Sequence, residues 1–243
     1  MKTYCLEVSG DFACFTRPEM KVERVSYDVM TPSAARAVFE AILWKPAIRW
    51  HVSKIEVLNP IKWINLRRNE VSSVASTRNV ETAMKSGTGQ LGLYVEDDRQ
   101  QRAGLFLRDV KYRIHGYFEV RDPSFHKPNF PHLSKRVVNT DENDLEKESD
   151  LTVKFMSMFE RRAAKGQCIN QPYLGCREFA AAFNLVEYQV SQSLPISETR
   201  DLGYMLYDLD YRNPANPKPR FFRAQLVNGV VAVPAWDSEE VRG

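Results

Sequence analysis

The chain has 243 residues, with 34 Lys+Arg against 31 Asp+Glu, enough for one large domain or two small ones. No apolar run is long enough to cross a bilayer and no signal-peptide pattern opens the chain; its four Cys lack C-x-x-C pairing and a His at zinc spacing, so a cytoplasmic protein with reduced thiols and no metal or membrane role is expected. The net charge of +3 is uneven, with 19 basic and 14 acidic residues over 1–121 (net +5) but 15 and 17 over 122–243 (net −2), which suits a nucleic-acid face on the first half.

Alternating Tyr4, Leu6 and Val8 predict a strand over 2–9, ended by Gly10 and Asp11, with a short extended piece from Phe12 to Pro18. A helix over 32–44 follows, with Thr31 as N-cap, Pro32 in the first position and an apolar stripe of Ala35, Val38, Phe39 and Ile42. Trp44, Lys45 and Pro46 stop it, and a strand over 47–58 begins at once. Trp44 and Trp50 are expected in the core and His51 on that strand's polar face. Residues 59–103 read as a long polar insertion carrying Arg67, Arg68, Arg78, Lys85 and the Gly87–Gly89 turn, of a length usually associated with function or mobility.

A strand over 105–121 comes next. Its even positions, Val110 to Val120, are apolar, and its odd positions are Asp109, Lys111, Arg113, His115, Tyr117, Glu119 and Arg121. Same-face neighbours on a strand stand roughly 6.6 Å apart, near the repeat of a stretched single-stranded nucleic acid, so Lys111 and Arg113 are candidate RNA ligands together with Arg67 and Arg68. After a Pro-rich excursion over 122–148, which holds His126 and His132, a helix over about 148–165 buries Leu151, Phe155, Met158 and Phe159 and ends at Gly166. A strand over about 174–187 completes the order β-α-β-β-α-β. The expected fold is therefore α+β: a ferredoxin-like domain of the RNA-recognition type over 1–190. Residues 191–243 form a small antiparallel sheet whose hairpin turns at Asn228 and Gly229. Asp208 and Asp210, with Glu96, Asp97 and Asp98, are the only support for a metal-dependent DNA nuclease, the weakest reading.

The stretch GDFACFTRPEMKVERVSYDVMTPSAARAVFEAILWKPAIRW (10–50) resembles the type I-C CRISPR-associated endoribonuclease family, the fifth Cas family, subtype d, of the RNA-binding RAMP superfamily. So do EDDRQQR (96–102), LRDVKYRIHGYFEV (107–120), FERRAAKGQC (159–168), QPYLGCREF (171–179) and RDLGYML (200–206). The resemblance implies cleavage of CRISPR repeat RNA without metal or cofactor. The upstream 2′-hydroxyl attacks the phosphate, leaving a 2′,3′-cyclic phosphate and a 5′-hydroxyl. It also implies retention on the 5′ handle of the crRNA within the type I-C surveillance complex, beside its backbone and large subunits. Of the family's Tyr-Lys-His set only Lys154 is retained; Leu43 and Phe155 stand at the other two positions. Where relatives tend to carry a histidine two residues before the glutamate of the central strand, this chain has Tyr117, with His115 on the same face. Lys154, His115 and Tyr117 are thus the expected catalytic residues, and a non-catalytic subunit that binds the crRNA handle is the alternative.

Overall fold

The computed structural model describes residues 2–89, 91–120, 144–186 and 193–243, with 144–150 as backbone only. It is a mixed α/β structure, with an antiparallel sheet of eight strands and three helices among the described residues. The elements are β1 (Tyr4–Ala13), α1 (Pro32–Ile42), β2 (Ile48–Val57), β3 (Lys62–Val71), α2 (Thr77–Ser86), β4 (Arg99–Val120), α3 (Asp144–Ala164), β5 (Ala182–Leu185), β6 (Arg200–Asp210), β7 (Lys218–Val227) and β8 (Val230–Ala232). The sheet order is β5-β1-β4-β2-β8-β7-β6, with β3 paired to the first half of β4. None of the helices among the described residues is long and apolar enough to cross a membrane. His126, His132 and most of the Pro-rich excursion lie outside the described residues.

α1 begins as its sequence demands: Thr31 Oγ1 accepts from Ala34 N–H at 3.3 Å, and Ala35, Val38, Phe39 and Ile42 are all buried. It stops at Leu43 in extended backbone, three residues before Pro46. Trp50 Nε1–H donates to the Leu43 carbonyl at 2.8 Å, closing one of the orphan acceptors at the helix end, and Arg162 Nη1 donates to the Ile42 carbonyl at 3.0 Å. α1 and α3 cover one face of the sheet, where Phe159 packs against Tyr4 and Trp50, each with ring centroids 4.7 Å away, and against Phe39.

Several expectations need correction. β1 does not end at Gly10: it continues to Ala13, paired with Leu107, and a side chain at Gly10 would meet Leu174. Much of the polar insertion is regular secondary structure. β3 and the start of β4 form a ten-pair antiparallel arm, and α2 is capped by Ser76 and by Gly87 in the left-handed region yet buries none of its residues. At Asp109 (φ 52°) β4 exchanges its partner strand on one side, from β3 to β2. The C-terminal strands are not a separate sheet. The hairpin at Asn228 (φ 48°) and Gly229 (φ 74°) turns as expected, and β8 then pairs with Lys54–Glu56 of β2, joining one sheet and one core. Trp50 is buried as expected, but Trp44 is 53% exposed.

Candidate active site

β2 carries the irregularity that arranges the sheet's second face. Its register with β4 shifts between Val52 and Lys54, so Ser53 is an extra residue. Before the bulge Trp50 and Val52 face the helices; after it Ile55 and Val57 do. His51, Lys54 and Glu56 therefore share the opposite face and sit across from Tyr117, His115 and Arg113.

On that face the odd positions of β4 are not the open cationic strip that the alternation predicts. Arg113 is 4% and His115 8% exposed. Arg113 Nη1 donates to Glu56 Oε2 at 2.5 Å and its Nη2 to the Ser193 carbonyl at 2.8 Å. The other carboxylate oxygen, Glu56 Oε1, meets Lys54 Nζ at 2.6 Å and His115 Nε2 at 3.1 Å, and Cys5 Sγ lies 3.7 Å from the same imidazole nitrogen. Burial opposes the Glu56 charge, yet the bonds from Lys54 and Arg113 and the charge of His115 hold its carboxyl below the usual range. Burial, reinforced by Lys54 and Arg113, pushes the His115 imidazole below its ordinary value despite Glu56. The physical reason for the correction is the returning chain: residue 193 and its successors lie over this face, with Ile196 N–H bonded to the Val57 carbonyl. Lys111 is half-buried and paired with Glu7 at 2.8 Å.

Tyr117, nearer the end of β4, has a different setting. His51 stacks on it with ring centroids 5.2 Å apart and planes at 14°, and His51 Nε2 lies 3.1 Å from Glu119 Oε2. Beside this cluster runs a cleft of about 910 Å³. It exists because β8 covers only Lys54–Glu56, leaving Ile48–Val52 without a strand on that side. Its walls are α1, the 44–46 turn, this stretch of β2 and the end of β6, and His51, Glu119, Lys45, Arg49, Trp44 and Tyr211 line it. Two further cations of the cleft are neutralised: Arg36 holds Asp208 and Glu40, and Arg212 holds Asp210, keeping that carboxyl down at about 2. The two aspartates offered as a metal pair are thus each occupied by a guanidinium, and Asp98 accepts from Ser72 and Ser73.

Lys154 is exposed on α3, on the helical side of the sheet, so the structure does not bring it together with His115 and Tyr117. Leu43 is fully buried and Phe155 is a core residue. Arg67 is exposed on the β3–β4 arm, whereas Arg68 bonds Glu178 at 2.5 Å and lies over the rings of Phe106 and Phe179. Sequence reasoning missed two features. One is His51 with Glu119, signalled only by the residue types on paired strands. The other is a buried thiol pair, Cys14 and Cys176, where the hydrogen bond from Cys14 and the nearby Arg24 hold the Cys176 thiol below its ordinary value. Nothing in the sequence places those two cysteines together.

Comparison with known proteins bears on all of this. The family model Cas_Cas5d, described as CRISPR-associated protein (Cas_Cas5), matches residues 3–234. The chain is 47% identical over 244 residues to the CRISPR pre-crRNA endoribonuclease Cas5d of Mannheimia succiniciproducens, covering 98% of this chain and 97% of that one. It is 36% identical over 253 residues to the protein of the same name from Thermus thermophilus, covering 97% and 93%. Among solved structures, a CRISPR-associated protein superposes with a TM-score of 0.62 at 23% identity, covering 100% of this chain and 97% of the other, which speaks to fold alone.

Proposed function

The chain belongs to the Cas5d family of CRISPR-associated proteins, and on that basis we propose that it is an endoribonuclease that cuts CRISPR precursor RNA within its repeats by a metal-independent route. The observation that carries the reading is near-full-length identity of 47% to a protein named for that activity. In the proposed reaction the 2′-oxygen upstream of the cut bonds to phosphorus as its proton is removed, and the phosphorus–5′-oxygen bond breaks as that oxygen gains a proton. A cation on the phosphate lowers the barrier, and Lys154 is the residue matched for that role. The arm and α2 supply a path for the flanking RNA, since Arg67 and Arg99 are exposed on the arm and Arg78 and Lys85 on α2. A ferredoxin-like arrangement fits: β5-β1-β4-β2 are all antiparallel neighbours, with α1 after β1 and α3 after β4. The product is then held, in this reading, as the crRNA handle within a type I-C surveillance complex.

The test is cleavage of cognate repeat RNA with and without EDTA. Cutting should persist in EDTA and leave a 2′,3′-cyclic phosphate, and Lys154→Ala should slow it at least tenfold, about 1.4 kcal/mol of transition-state stabilisation, with RNA affinity retained. Loss of cleavage in EDTA overturns the metal-independent route. Because Leu43 and Phe155 are core residues, a second outcome has its own meaning. Tight binding without any cleavage by the unaltered chain would make it a handle-binding subunit.

A further inference from the structure

We propose that the cleft beside β2 holds the scissile nucleotides, and that His51, stacked on Tyr117 beside the Glu119 carboxylate, is the catalytic base that takes the 2′-hydroxyl proton. The inference rests on the endoribonuclease reading and locates its missing proton acceptor. Two family positions that would supply such a group are occupied by Leu43 and Phe155, both buried hydrocarbon or ring, and His115 is enclosed by Glu56, Lys54 and Arg113. His51 differs from them in three ways. It lines a cleft of about 910 Å³, large enough for two nucleotides. Its ring is held by stacking on Tyr117, and its buried Nε2 lies 3.1 Å from Glu119 Oε2, an ion-pair distance without hydrogen-bond geometry, so that the carboxylate stabilises the imidazolium formed when the ring accepts a proton. And it stands on a strand whose unpaired edge lets an RNA backbone come alongside.

The rest of the cleft has the chemistry of single-stranded RNA. Trp44 and Tyr211, 53% and 58% exposed, both line it, Trp44 on the turn after α1 and Tyr211 just after β6, as stacking surfaces for bases. Lys45 and Arg49 bring cations to the same walls for the phosphate between those bases, the role that the family pattern matches to Lys154, which does not line the cleft; slow cleavage by Lys154→Ala beside normal cleavage by His51→Ala would place the scissile phosphate on the helical side instead. In the step itself, His51 takes the proton as the 2′-oxygen bonds to phosphorus. The 5′-oxygen leaves and is protonated by water, and the imidazolium then returns its proton to solvent. Glu119 is a positioning residue; Tyr117 supports the ring from behind.

The experiment measures single-turnover cleavage, steady-state kcat and KM, and affinity on cognate repeat RNA for the unaltered chain and for His51→Ala, His51→Gln, Glu119→Gln and Trp44→Ala with Tyr211→Ala. Both His51 variants should cleave at least 100-fold more slowly with affinity within threefold, and added imidazole should restore part of the His51→Ala rate. Glu119→Gln should lower kcat with KM unchanged. The double aromatic variant should bind about tenfold more weakly. Normal cleavage by a folded His51→Ala or His51→Gln protein, or a slow His51→Ala protein that imidazole does not restore, overturns the proposal and leaves the endoribonuclease reading standing. So does unchanged affinity in the aromatic variant. Absence of cleavage in the unaltered chain overturns the reading as well.

Discussion

Replacing Glu56 by Met tests whether Arg113 is a structural ion or an RNA ligand. In the folded chain Glu56 and Arg113 side chains are 9% and 5% exposed, and the carboxylate is the only anion that Arg113 meets among the described residues; its other bond is to the Ser193 carbonyl. Removing one partner of a buried pair costs about 3–5 kcal/mol, because the remaining charge is left uncompensated. Glu56→Met should fall at the upper end, since Arg113 would then face Lys54 and His115 without a counter-charge. Arg113→Met should fall near 3 kcal/mol, about the lower limit, because Glu56 keeps Lys54 at 2.6 Å and His115 at 3.1 Å. The double variant replaces both charges with apolar groups and should recover to within about 2 kcal/mol of the unaltered chain. Urea unfolding followed by far-ultraviolet circular dichroism reads all three. A Glu56→Met loss below about 1 kcal/mol, or a double variant no better than the worse single one, would refute the argument that these charges hold each other in the interior. A reduced salt slope of RNA binding in a fully folded Arg113→Met protein would show instead that this guanidinium reaches phosphate.

Other outcomes follow from the same structure. Arg67→Ala on the exposed arm and Arg78→Ala on α2 should each lower the slope of log affinity against log salt by about 0.7, measured by filter binding between low and moderate salt, with no loss of thermal stability. His115 has a folded pKa below its unfolded value near 6.5, so the unfolded chain binds more protons and stability should decline as pH falls from about 6.5 toward the folded value. His115→Gln should remove that part of the pH dependence in urea titrations. Deleting Ser53 should leave the fold intact as judged by soluble yield and circular dichroism, because Lys54 would then follow Val52 directly and stay across from His115, with Glu56 still across from Arg113; loss of folding would show that the bulge itself is required.

The sequence made some of this legible and some not, for identifiable reasons. α1 was readable from Thr31, Pro32 and four apolar residues because all of those signals are local, and so was the turn at Asn228 and Gly229. The core face of β4 was readable because Tyr112, Ile114 and Phe118 alternate over a long run. Its other face was misread because burial there is set by Glu56 and by Ser193, residues 57 and 80 positions away from Arg113. β3 escaped notice because its half-buried face is Ile64, Leu66, Arg68 and Glu70, two apolar and two charged residues, so the regular alternation in burial has no apolar alternation in the sequence to announce it. The cleft could not be read at all, since it is enclosed by α1, β2 and β6, elements far apart in the chain.

The bulge at Ser53 connects these two outcomes. A strict alternation through β2 would have put His51 and Lys54 on opposite faces; the extra residue puts both beside β4's odd positions. The buried Glu56–Arg113 pair then locks β2 to β4 below the bulge, and above it the same two strands hold His51 against Tyr117 and Glu119. A proton-transfer group is useful only if its position is fixed within a fraction of an ångström, and paired strands fix it better than a loop does. On the proposed placement of the RNA, the charged residues that looked like an RNA-binding strip act one step removed from it. Their ion pairs hold rigid the two strands whose open end forms the wall of the cleft. That arrangement also explains why cations suited to contact RNA are found on the cleft walls and on the arm, where solvent reaches them, and not at Arg113.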